Sequence, residues 1–341
     1  MTEPLTILVG PTAVGKTAIS IPVAQALQAE ILNVDSRQLY RHMQIGTAKP
    51  TPLEQGQVRH HLLDLLDPDQ TINAAAFVRA AEQALEDIHT RGKRPLIVAG
   101  SGLYLQALLY GLMPVPAAHA PLREVLRTYA ERHGTPALHR WLQRLDPVAA
   151  ADYHAHDCVR IVRALEVTFL TGVPFSTHRH QHRQQGPRYP YVAVGLTRCR
   201  AELDARIAER TEAMLAEGWL TEVNDLLRRG YDRSSHPMNS LGYRDLLAYL
   251  EGQYSWPETV QAIVKSTRQL AKRQLTWFRK LPHITWLNLS GLEAPAAVAQ
   301  ILERVPRAIH ESALKSGHRP GFITSHHGSH SPDEAATQGC A

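Results

Sequence analysis

The stretch GPTAVGKT, residues 10–17, decides the fold of this chain. It follows the apolar run LTILV, residues 5–9, and precedes a second apolar run, AISIPVAQAL, residues 18–27. It matches the pattern G-x-x-x-x-G-K-[ST] of a loop that binds phosphate between a strand and a helix. Its glycines let the backbone turn N–H groups inward, and the following helix adds the dipole of its N-terminus. We therefore predict a site for a di- or triphosphate on Gly10, Pro11, Thr12, Ala13, Val14, Gly15, Lys16 and Thr17.

Two side chains of this loop have a predicted chemical task. The Lys16 ammonium supplies a mobile positive charge for phosphate oxygens. The Thr17 hydroxyl is placed to ligate Mg²⁺, the ion that usually accompanies such phosphates. The alternative is a tight turn without a ligand, and the flanking strand and helix argue against it.

Strands and helices alternate in the sequence beyond the loop. A helical segment covers residues 74–91, and short apolar runs typical of strands recur along the chain. These runs are AEILNVDS (29–36), PLIVAG (95–100), YVAVGLT (191–197) and HITWLNL (283–289). The alternation predicts an α/β fold, with a P-loop NTPase-like parallel sheet core.

The composition of the chain changes after Gly111. A linker rich in Pro and Ala leads into about ninety residues that read as helices separated by Gly and Pro. We predict a first part of the core over residues 1–111 and a helical insertion domain over 112–190. The core then resumes with basic helices over 191–305, and a polar tail over 306–341 is predicted to be disordered.

Composition and charge exclude several classes of protein. The chain has 341 residues and a net charge of +5, and no apolar run approaches the roughly 20 residues that span a membrane. Its N-terminus runs almost directly into the first strand, which leaves no room for a signal peptide. Its cysteines are widely spaced and odd in number, so they predict neither disulfides nor a zinc site; they are Cys158, Cys199 and Cys340. We expect a cytoplasmic protein without a membrane partner.

The segment 261–280 concentrates positive charge. It contains six Lys or Arg residues and no acid. On a helix, four of these residues form one stripe opposite Ile263, Leu270 and Trp277; they are Lys265, Arg268, Lys272 and Arg279. A solvated face is the alternative, but such faces usually mix both signs of charge. The stripe therefore favours a partner that carries many phosphates.

A carboxylate follows the second predicted strand. Asp35 lies where that strand ends, at the edge of the sheet where α/β proteins bind ligands. It fits a general base, an indirect Mg²⁺ ligand or the N-cap of the next helix. Ser36 caps a helix equally well, so capping does not explain Asp35. The nearby Gly46, Thr47 and Lys49 fit either a site loop with a cation or a solvated turn.

The run HRHQHR, residues 178–183, places three histidines two residues apart. In an extended conformation they would share one side, as metal ligands do. We instead predict a flexible cationic loop near a nucleic acid.

Several motifs together resemble one family. They are GPTAVGKT, NVDSRQLYRHMQIGTAKP, HHLLDLLDP, GSGLYLQALLYGL, RALEV and STRQLAKRQLTWFR, in this order along the chain. The combination resembles tRNA dimethylallyltransferases, also called tRNA isopentenyltransferases, of the bacterial type. The likeness extends from about Thr6 to Leu289, and the motif behind the loop is far more specific than the loop alone. At residues 100–102 the family more often has Gly-Thr-Gly, where this chain has Gly-Ser-Gly.

The resemblance implies a reaction. The family transfers a dimethylallyl group from dimethylallyl diphosphate to the exocyclic N6 amine of adenosine 37, which adjoins the anticodon of tRNA on its 3′ side. The loop would then hold a diphosphate leaving group with Mg²⁺ on Thr17, and ATP would not be needed for the chemistry. By its place in the family motif, Asp35 is the base, and Arg210 is expected to neutralise the diphosphate.

The resemblance also implies which residues meet tRNA. We expect the insertion to bind tRNA and Tyr243 to stack on a splayed base, although packing in the core is the alternative for a lone tyrosine. Together with the basic stripe, the predicted contacts with the anticodon stem-loop are Asp35, Ser36, Arg37, Gln38, Ser101, Arg123, Arg160, Arg163, Tyr243, Arg244, Arg268 and Lys272.

Two other functions fit part of the sequence. A P-loop kinase for a nucleotide or a small molecule would use ATP on the loop and Asp35 to activate a hydroxyl, but it leaves the basic helix without a use. An RNA-binding regulator without chemistry would explain the loop and the stripe, but it gives Asp35 no task. We expect a monomer, because an RNA substrate needs an open basic face.

Overall fold

The computed structural model describes residues 3–305, in which six strands form one parallel sheet. The strands are β1 (Leu5–Val9), β2 (Ala29–Val34), β3 (His60–His61), β4 (Arg94–Ala99), β5 (Tyr191–Thr197) and β6 (Ile284–Asn288). Their order across the sheet is β3-β2-β4-β1-β5-β6, and every neighbouring pair is parallel. This sheet confirms the predicted α/β fold with a P-loop NTPase-like parallel core.

Helices connect and cover the strands in the described part of the chain. Those of the first part are α1 (Lys16–Ala26), α2 (Pro52–Gln57), α3 (Ala74–Thr90) and α4 (Gly102–Tyr110). A purely helical stretch follows, with α5 (Ala120–His133), α6 (Thr135–Leu145), α7 (Pro147–Asp152), α8 (Cys158–Thr171) and α9 (Phe175–Gln184). The last group is α10 (Arg200–Glu217), α11 (Trp219–Arg228), α12 (Tyr243–Leu250), α13 (Trp256–Phe278) and α14 (Ala294–Arg304). Among the described residues, none of these helices has the length and apolar character that crossing a membrane requires.

The central strands are buried on both faces. Every residue of β1 and β2 is buried, which explains why both read as nearly continuous apolar runs. Successive residues alternate between the faces: Leu8 packs with residues of α1 and α14, and Ile7 packs with residues of α3 and α4. The two helical layers therefore close the core from opposite sides of the sheet.

The register of the strands brings distant residues to one edge. Val9 of β1 is paired with Ala99 of β4, and Ala99 is paired in turn with Val34 of β2. Because all three strands are parallel, the segments that follow them emerge side by side. The phosphate loop, Asp35 and Gly100 thus share the carboxyl edge of the sheet.

The stretch predicted as a helical insertion, 112–190, contains α5 to α9 and, among its described residues, no strand. These helices pack around an apolar cluster of their own that includes Leu126, Leu142 and Leu165. The binding of tRNA by this stretch stays a prediction, as do the predicted domain boundaries. The predicted disordered tail, 306–341, lies outside the described residues.

The prediction of a flexible loop at residues 178–183 is wrong, because these residues lie within α9. The buried carboxylate of Asp146 explains the helix. One of its oxygens accepts the N–H of Ala149 at the start of α7, and the other accepts the N–H of Ser176 at the start of α9. This single side chain therefore stabilises the N-termini of both helices.

A second buried carboxylate joins three parts of the insertion. Glu166 on α8 is fully buried and accepts hydrogen bonds from the guanidinium groups of Arg123 and Arg163 and from the N–H of His119. Burial alone would raise the pKa of Glu166, but these hydrogen bonds outweigh it and the pKa is lowered. Glu166 is therefore ionised in the native state, and α5, α8 and the linker before α5 depend on its charge.

We expect Glu166→Gln to lower the free energy of unfolding by about 3 kcal/mol, because it leaves two partly buried arginines without their carboxylate. Since folding lowers the pKa of Glu166, its stabilisation is present above the ordinary glutamate pKa of about 4.3 and is lost as the pH falls through the lower, native value. Urea unfolding at pH 7 and at pH 4 measures both effects. The exposed Glu124, changed to Gln on α5, is the matched control. Equal stability of E166Q and E124Q would contradict the prediction.

Candidate active site

The phosphate loop is a tight turn between β1 and α1. A Cβ on Gly10 would lie 2.8 Å from the carbonyl oxygen of Leu196, so only glycine fits beside β5. Gly15 has a φ of 107°, in the left-handed region, and α1 begins at the next residue, Lys16. The first N–H groups of α1 therefore face the centre of the loop, as anion binding requires.

Lys16 lies across this loop. Its Nζ donates to the carbonyl oxygens of Gly10, at 2.9 Å, and of Pro11, at 3.0 Å. Burial lowers the pKa of Lys16 to about 8; the nearby Asp35 carboxylate opposes this shift, and the charge of Arg210 adds to it. Lys16, Asp35 and Arg210, which the sequence predicts at one site, are thus close enough to influence one another.

Three arginines, one directly after β5 and two on α10, hold the apex of the loop. Arg210 donates to the hydroxyl of Thr12 at 2.5 Å, and Arg206 donates to the carbonyl oxygen of Ala13 at 3.0 Å. Arg198, directly after β5, donates to the carbonyl oxygen of the next loop residue at 2.9 Å. The structure therefore places Arg210 at the loop, as predicted, and adds Arg198, which lies in no phosphate motif.

The Thr17 side chain is available for a ligand. It lies in the first turn of α1 and is half-buried. Within residues 3–305 its hydroxyl has no hydrogen-bond partner, whereas its carbonyl oxygen accepts the hydroxyl of Ser20 at 3.1 Å. This oxygen at the start of the helix can bind a cation that is shared with phosphate oxygens.

The two oxygens of Asp35 have different surroundings. Oδ1 accepts the N–H groups of Arg37, at 2.8 Å, and Gln38, at 3.4 Å. The prediction that capping does not explain Asp35 is therefore wrong, since this carboxylate itself caps the turn after β2. Oδ2 points to Gly100, where an added Cβ would lie 2.5 Å from it. Among the described residues, Oδ2 makes no hydrogen bond and is free to accept a proton.

The other predicted contacts after β2 and β4 line the same edge. Ser36, Arg37 and Ser101 are half-buried, and among the described residues the hydroxyls of Ser36 and Ser101 have no hydrogen-bond partner. The N–H of Ser101 donates to the carbonyl oxygen of Val34 at 3.0 Å, which fixes the start of α4 beside Asp35.

Gln38 and the following loop are held by a network. Gln38 Nε2 donates to the carbonyl oxygens of Thr47 and Ala48, and Glu222 on α11 accepts the N–H groups of residues 44–46. Lys49 is fully buried and bonded to Asp64 at 2.6 Å. Lys49 therefore stabilises the loop and offers no charge to a ligand.

The predicted stacking of Tyr243 on a base is wrong. Its side chain is only 1% exposed, and its hydroxyl donates to Glu222 at 2.6 Å. The ring packs edge-on against Trp219 in the core, so the alternative reading of a packed tyrosine holds. The neighbouring Arg244 is half exposed and lies 3.5 Å from Asp245.

The predicted contacts of the insertion differ in exposure. Arg123 and Arg163 are bonded to the buried Glu166, and less than a third of each side chain is exposed. Arg160 is 63% exposed and lies over the ring of Tyr153. Of these three arginines, Arg160 is the most exposed, and the contact of all three with tRNA stays a prediction.

The basic stripe is on the surface of α13. Lys265, Arg268, Lys272 and Arg279 are all exposed, whereas Ile263 on the opposite side is buried. Arg268 lies 3.6 Å from Asp204, so part of its charge is offset within the protein. Lys272 has no ion pair within the described residues, so its exposed positive charge is not offset there.

Besides Arg198, sequence patterns did not predict Gln274 and Glu222. Gln274 on α13 bonds both the phosphate loop and Gly100, and Glu222 bonds the loop at 44–46. Both lie more than 170 residues from the segments that they hold, so only their polarity on otherwise half-buried helix faces could have indicated them.

Comparison with known proteins places the chain among enzymes of one kind. Residues 38–281 match the IPP transferase family. A tRNA dimethylallyltransferase of Symbiobacterium thermophilum is 49% identical over 309 residues, which cover 90% of this chain and 96% of the relative. The tRNA dimethylallyltransferase of Geobacter sulfurreducens is 44% identical over 284 residues, which cover 83% of this chain and 91% of the relative.

Solved structures agree with these relatives. The full-length tRNA isopentenylpyrophosphate transferase of Bacillus halodurans is 36% identical with a TM-score of 0.67, covering 89% of this chain and 95% of that one. A eukaryotic dimethylallyltransferase, captured while acting on tRNA, is 25% identical with a TM-score of 0.76; the match covers 88% of this chain and 78% of that one.

The pKa of Lys16 predicts how anion binding depends on pH. Because this pKa is lowered to about 8, Lys16 loses its charge as the pH rises through that value. We expect the affinity for inorganic diphosphate to fall about tenfold between pH 7 and pH 9.5, after correction for the ionisation of the ligand. Calorimetric titration of the wild type and of Lys16→Met measures this, since the variant reports the ligand's own ionisation. Parallel pH curves for the two proteins would contradict the prediction.

Proposed function

The chain belongs to the IPP transferase family, and from that premise we propose that it transfers a dimethylallyl group from dimethylallyl diphosphate to the N6 amine of adenosine 37 in tRNA. The chain is a prenyltransferase that acts on tRNA; the donor and the target atom are the proposed part. The products are N6-dimethylallyladenosine and diphosphate. The observation that carries the proposal is the common position of the phosphate loop and Asp35 at one edge of the sheet.

The bond changes match the residues at this edge. The C1–O bond of the donor breaks, and its electron pair leaves with the diphosphate, while the N6 lone pair forms the new bond to C1. Negative charge grows on the diphosphate, where the loop N–H groups, Lys16 and Arg210 stabilise it. Positive charge grows on N6, which must lose a proton. The reaction needs no phosphoryl transfer and hence no ATP.

Asp35 Oδ2 is the proposed acceptor of that proton. The aryl amine is a weak nucleophile, because its lone pair is delocalised into the ring, so removal of the proton during attack lowers the barrier. Two backbone N–H groups on Oδ1 hold the carboxylate in place, which leaves Oδ2 for the substrate. The charges of Lys16 and Arg210 lie close enough to interact with the Asp35 carboxylate.

We propose Mg²⁺ as the cofactor, with the Thr17 hydroxyl as its protein ligand. The residues fit this ion, because the hydroxyl is an oxygen ligand in the first turn of α1 and is unpaired among the described residues. Mg²⁺ commonly takes one or two protein oxygens and otherwise phosphate oxygens and water. When bound, it would neutralise charge on the leaving diphosphate.

tRNA recognition is proposed to use exposed cations of the helices. Lys272 and Arg279 on α13, Arg244 and Arg160 are exposed and suit phosphate contacts. Ser36, Arg37 and Ser101 lie beside Asp35 and suit contacts with the target nucleotide. A base inside a stacked loop must be extruded to reach Asp35, and unpaired anticodon-loop bases make that inexpensive.

We further propose a monomer in the cytoplasm. The tRNA substrate supports the location, and a face left open for RNA supports the monomer. Size-exclusion chromatography with light scattering at micromolar concentration tests the assembly state.

The test of the function uses purified protein, Mg²⁺, radiolabelled dimethylallyl diphosphate and unmodified tRNA, without ATP. Label should enter the tRNA, and nuclease digestion should release it as N6-dimethylallyladenosine from position 37. A parallel reaction with ATP and no donor should give no phosphoryl transfer. Phosphoryl transfer in place of prenyl transfer would favour the kinase alternative and overturn the proposal.

We expect Asp35→Asn to lower the rate of transfer about 10²- to 10⁴-fold, the usual contribution of a general base. Asn keeps an Oδ1 acceptor for the turn, so donor binding should change less than about twofold. Single-turnover kinetics and calorimetric donor binding measure the two effects. Asp69→Asn, at an exposed position, is the control. A rate close to that of the wild type would remove Asp35 as the base.

We expect Lys272→Gln to raise the KM for tRNA and to reduce the slope of log affinity against log salt by about 1, because one phosphate contact is lost. The KM for the donor should not change. Steady-state kinetics at several salt concentrations measure this. Lys93→Gln is the matched control, since Lys93 is exposed beside the opposite, amino end of β4. An unchanged salt slope would show that Lys272 does not contact tRNA.

A further inference from the structure

One side chain bridges the two halves of the proposed site. Gln274 lies on the inner side of α13, half-buried. Its Oε1 accepts the N–H of Thr12 in the phosphate loop at 2.8 Å, and its Nε2 donates to the carbonyl oxygen of Gly100 at 2.8 Å. The bridge thus needs an acceptor and a donor on one short side chain, which a carboxamide provides.

On the side of the phosphate loop, the bridge holds a single peptide group. The N–H of Thr12 and the carbonyl of Pro11 belong to the same planar unit. Gln274 binds the N–H, and Lys16 Nζ binds the carbonyl oxygen at 3.0 Å. Rotation of this peptide group would therefore break both contacts, so Gln274 fixes the direction of a carbonyl on which Lys16 rests. The Thr12 hydroxyl is held separately by Arg210.

On the other side, the bridge holds the surface against which Asp35 lies. The N–H of Gly100 donates to the carbonyl oxygen of Val34, and the Cα of Gly100 faces Oδ2 of Asp35 so closely that a Cβ would lie 2.5 Å from that oxygen. One turn further along α13, Trp277 packs on Gly102, where a Cβ would lie 2.4 Å from its ring. α13 is thus docked directly on the turn that shapes the Asp35 side of the site.

We propose that Gln274 is a positioning residue that sets the spacing between the leaving diphosphate and Asp35 by tying the phosphate loop to the Gly100 turn. This inference rests on the proposed function, since it assigns the two tied segments to the two substrates. A transfer between two bound substrates needs the reacting atoms about 3–3.5 Å apart, and a 1 Å misplacement costs about 10²-fold in rate. Gln274 does not contact the reacting atoms; it acts through the backbone of Thr12 and Gly100.

The proposal also gives α13 a second task. Its outer side presents the basic stripe with Lys272, and its inner side holds both substrate sites through Gln274. The helix that is proposed to bind tRNA therefore also fixes the positions of the phosphate loop and of the Gly100 turn, between which the target amine would react.

The first test compares the wild type with Gln274→Ala. We expect the rate of single-turnover transfer to fall about 10- to 100-fold, with the KM for tRNA within about twofold of the wild type. Gln261→Ala is the control: Gln261 is an exposed glutamine on the same helix and should leave both values unchanged. Thermal unfolding of each variant verifies that the protein is folded.

A second variant, Gln274→Glu, tests the need for both a donor and an acceptor. A carboxylate keeps the acceptor for Thr12 but repels the Gly100 carbonyl, whereas the protonated carboxyl can serve both. The activity of Q274E relative to the wild type should therefore rise at least about threefold as the pH falls from 8 to 6. A residue that only fills space would show no such recovery.

The outcomes separate the two proposals. Absence of label transfer by the wild type would overturn the proposed function and, with it, this assignment of Gln274. Transfer by the wild type with an unchanged rate in Q274A would overturn the positioning role alone. An effect of Q274A confined to the KM for tRNA would also overturn it, because Gln274 would then be a tRNA contact. A loss of rate in Q274A together with recovery of Q274E at low pH would support it.

Discussion

A loop that turns its N–H groups toward a bound anion must turn carbonyl groups away from it, into the protein. Buried carbonyl oxygens need donors, and an unpaired one costs about 1–3 kcal/mol. Here Lys16, Arg198 and Arg206 supply donors to carbonyls within residues 10–14, and Gln274 binds the N–H of Thr12 that faces away from the centre. The loop is therefore completed by β5, α10 and α13, which lie far from it in the sequence. The conformation of the loop therefore depends on all the elements that meet at this edge of the sheet.

The same donors concentrate positive charge where a diphosphate is proposed to bind. Burial lowers the pKa of Lys16 and also that of Arg210, with Arg206 adding to the second shift and the Asp35 carboxylate opposing both. The protein thus holds cations close together before any ligand arrives, at some cost in stability, and a bound anion relieves that repulsion. Such preorganised charge stabilises a leaving diphosphate without rearrangement during the reaction. Asp35 is the acidic side chain that interacts with these cations. The proposed general base and the proposed site of the leaving group are therefore electrostatically linked.

Two carboxylates, the buried Glu166 and the half-buried Glu222, explain why several candidate contacts are structural. Glu166 takes the charges of Arg123 and Arg163, and Glu222 takes the hydroxyl of Tyr243 together with three backbone N–H groups. A carboxylate removed from water without such partners would be strongly unfavourable. Arg123, Arg163 and Tyr243 therefore point toward these carboxylates. Of these side chains, Arg163 and Glu166 lie in the family motif RALEV, residues 163–167.

The sequence by itself determined the parallel sheet, the phosphate loop and the common position of Lys16, Thr17 and Asp35. These follow from local patterns: apolar runs of strand length, glycines at a fixed spacing, and the rule that parallel strands end at one edge. The tertiary structure alone decided which polar side chains face inward. Gln274, Glu222 and Arg198 act on segments more than 90 residues away, and Tyr243 and Lys49 are buried by contacts that no local pattern records. The physical reason is that burial and hydrogen bonding depend on which elements pack together. The period of apolar residues and the spacing of motif residues describe only the element in which they occur.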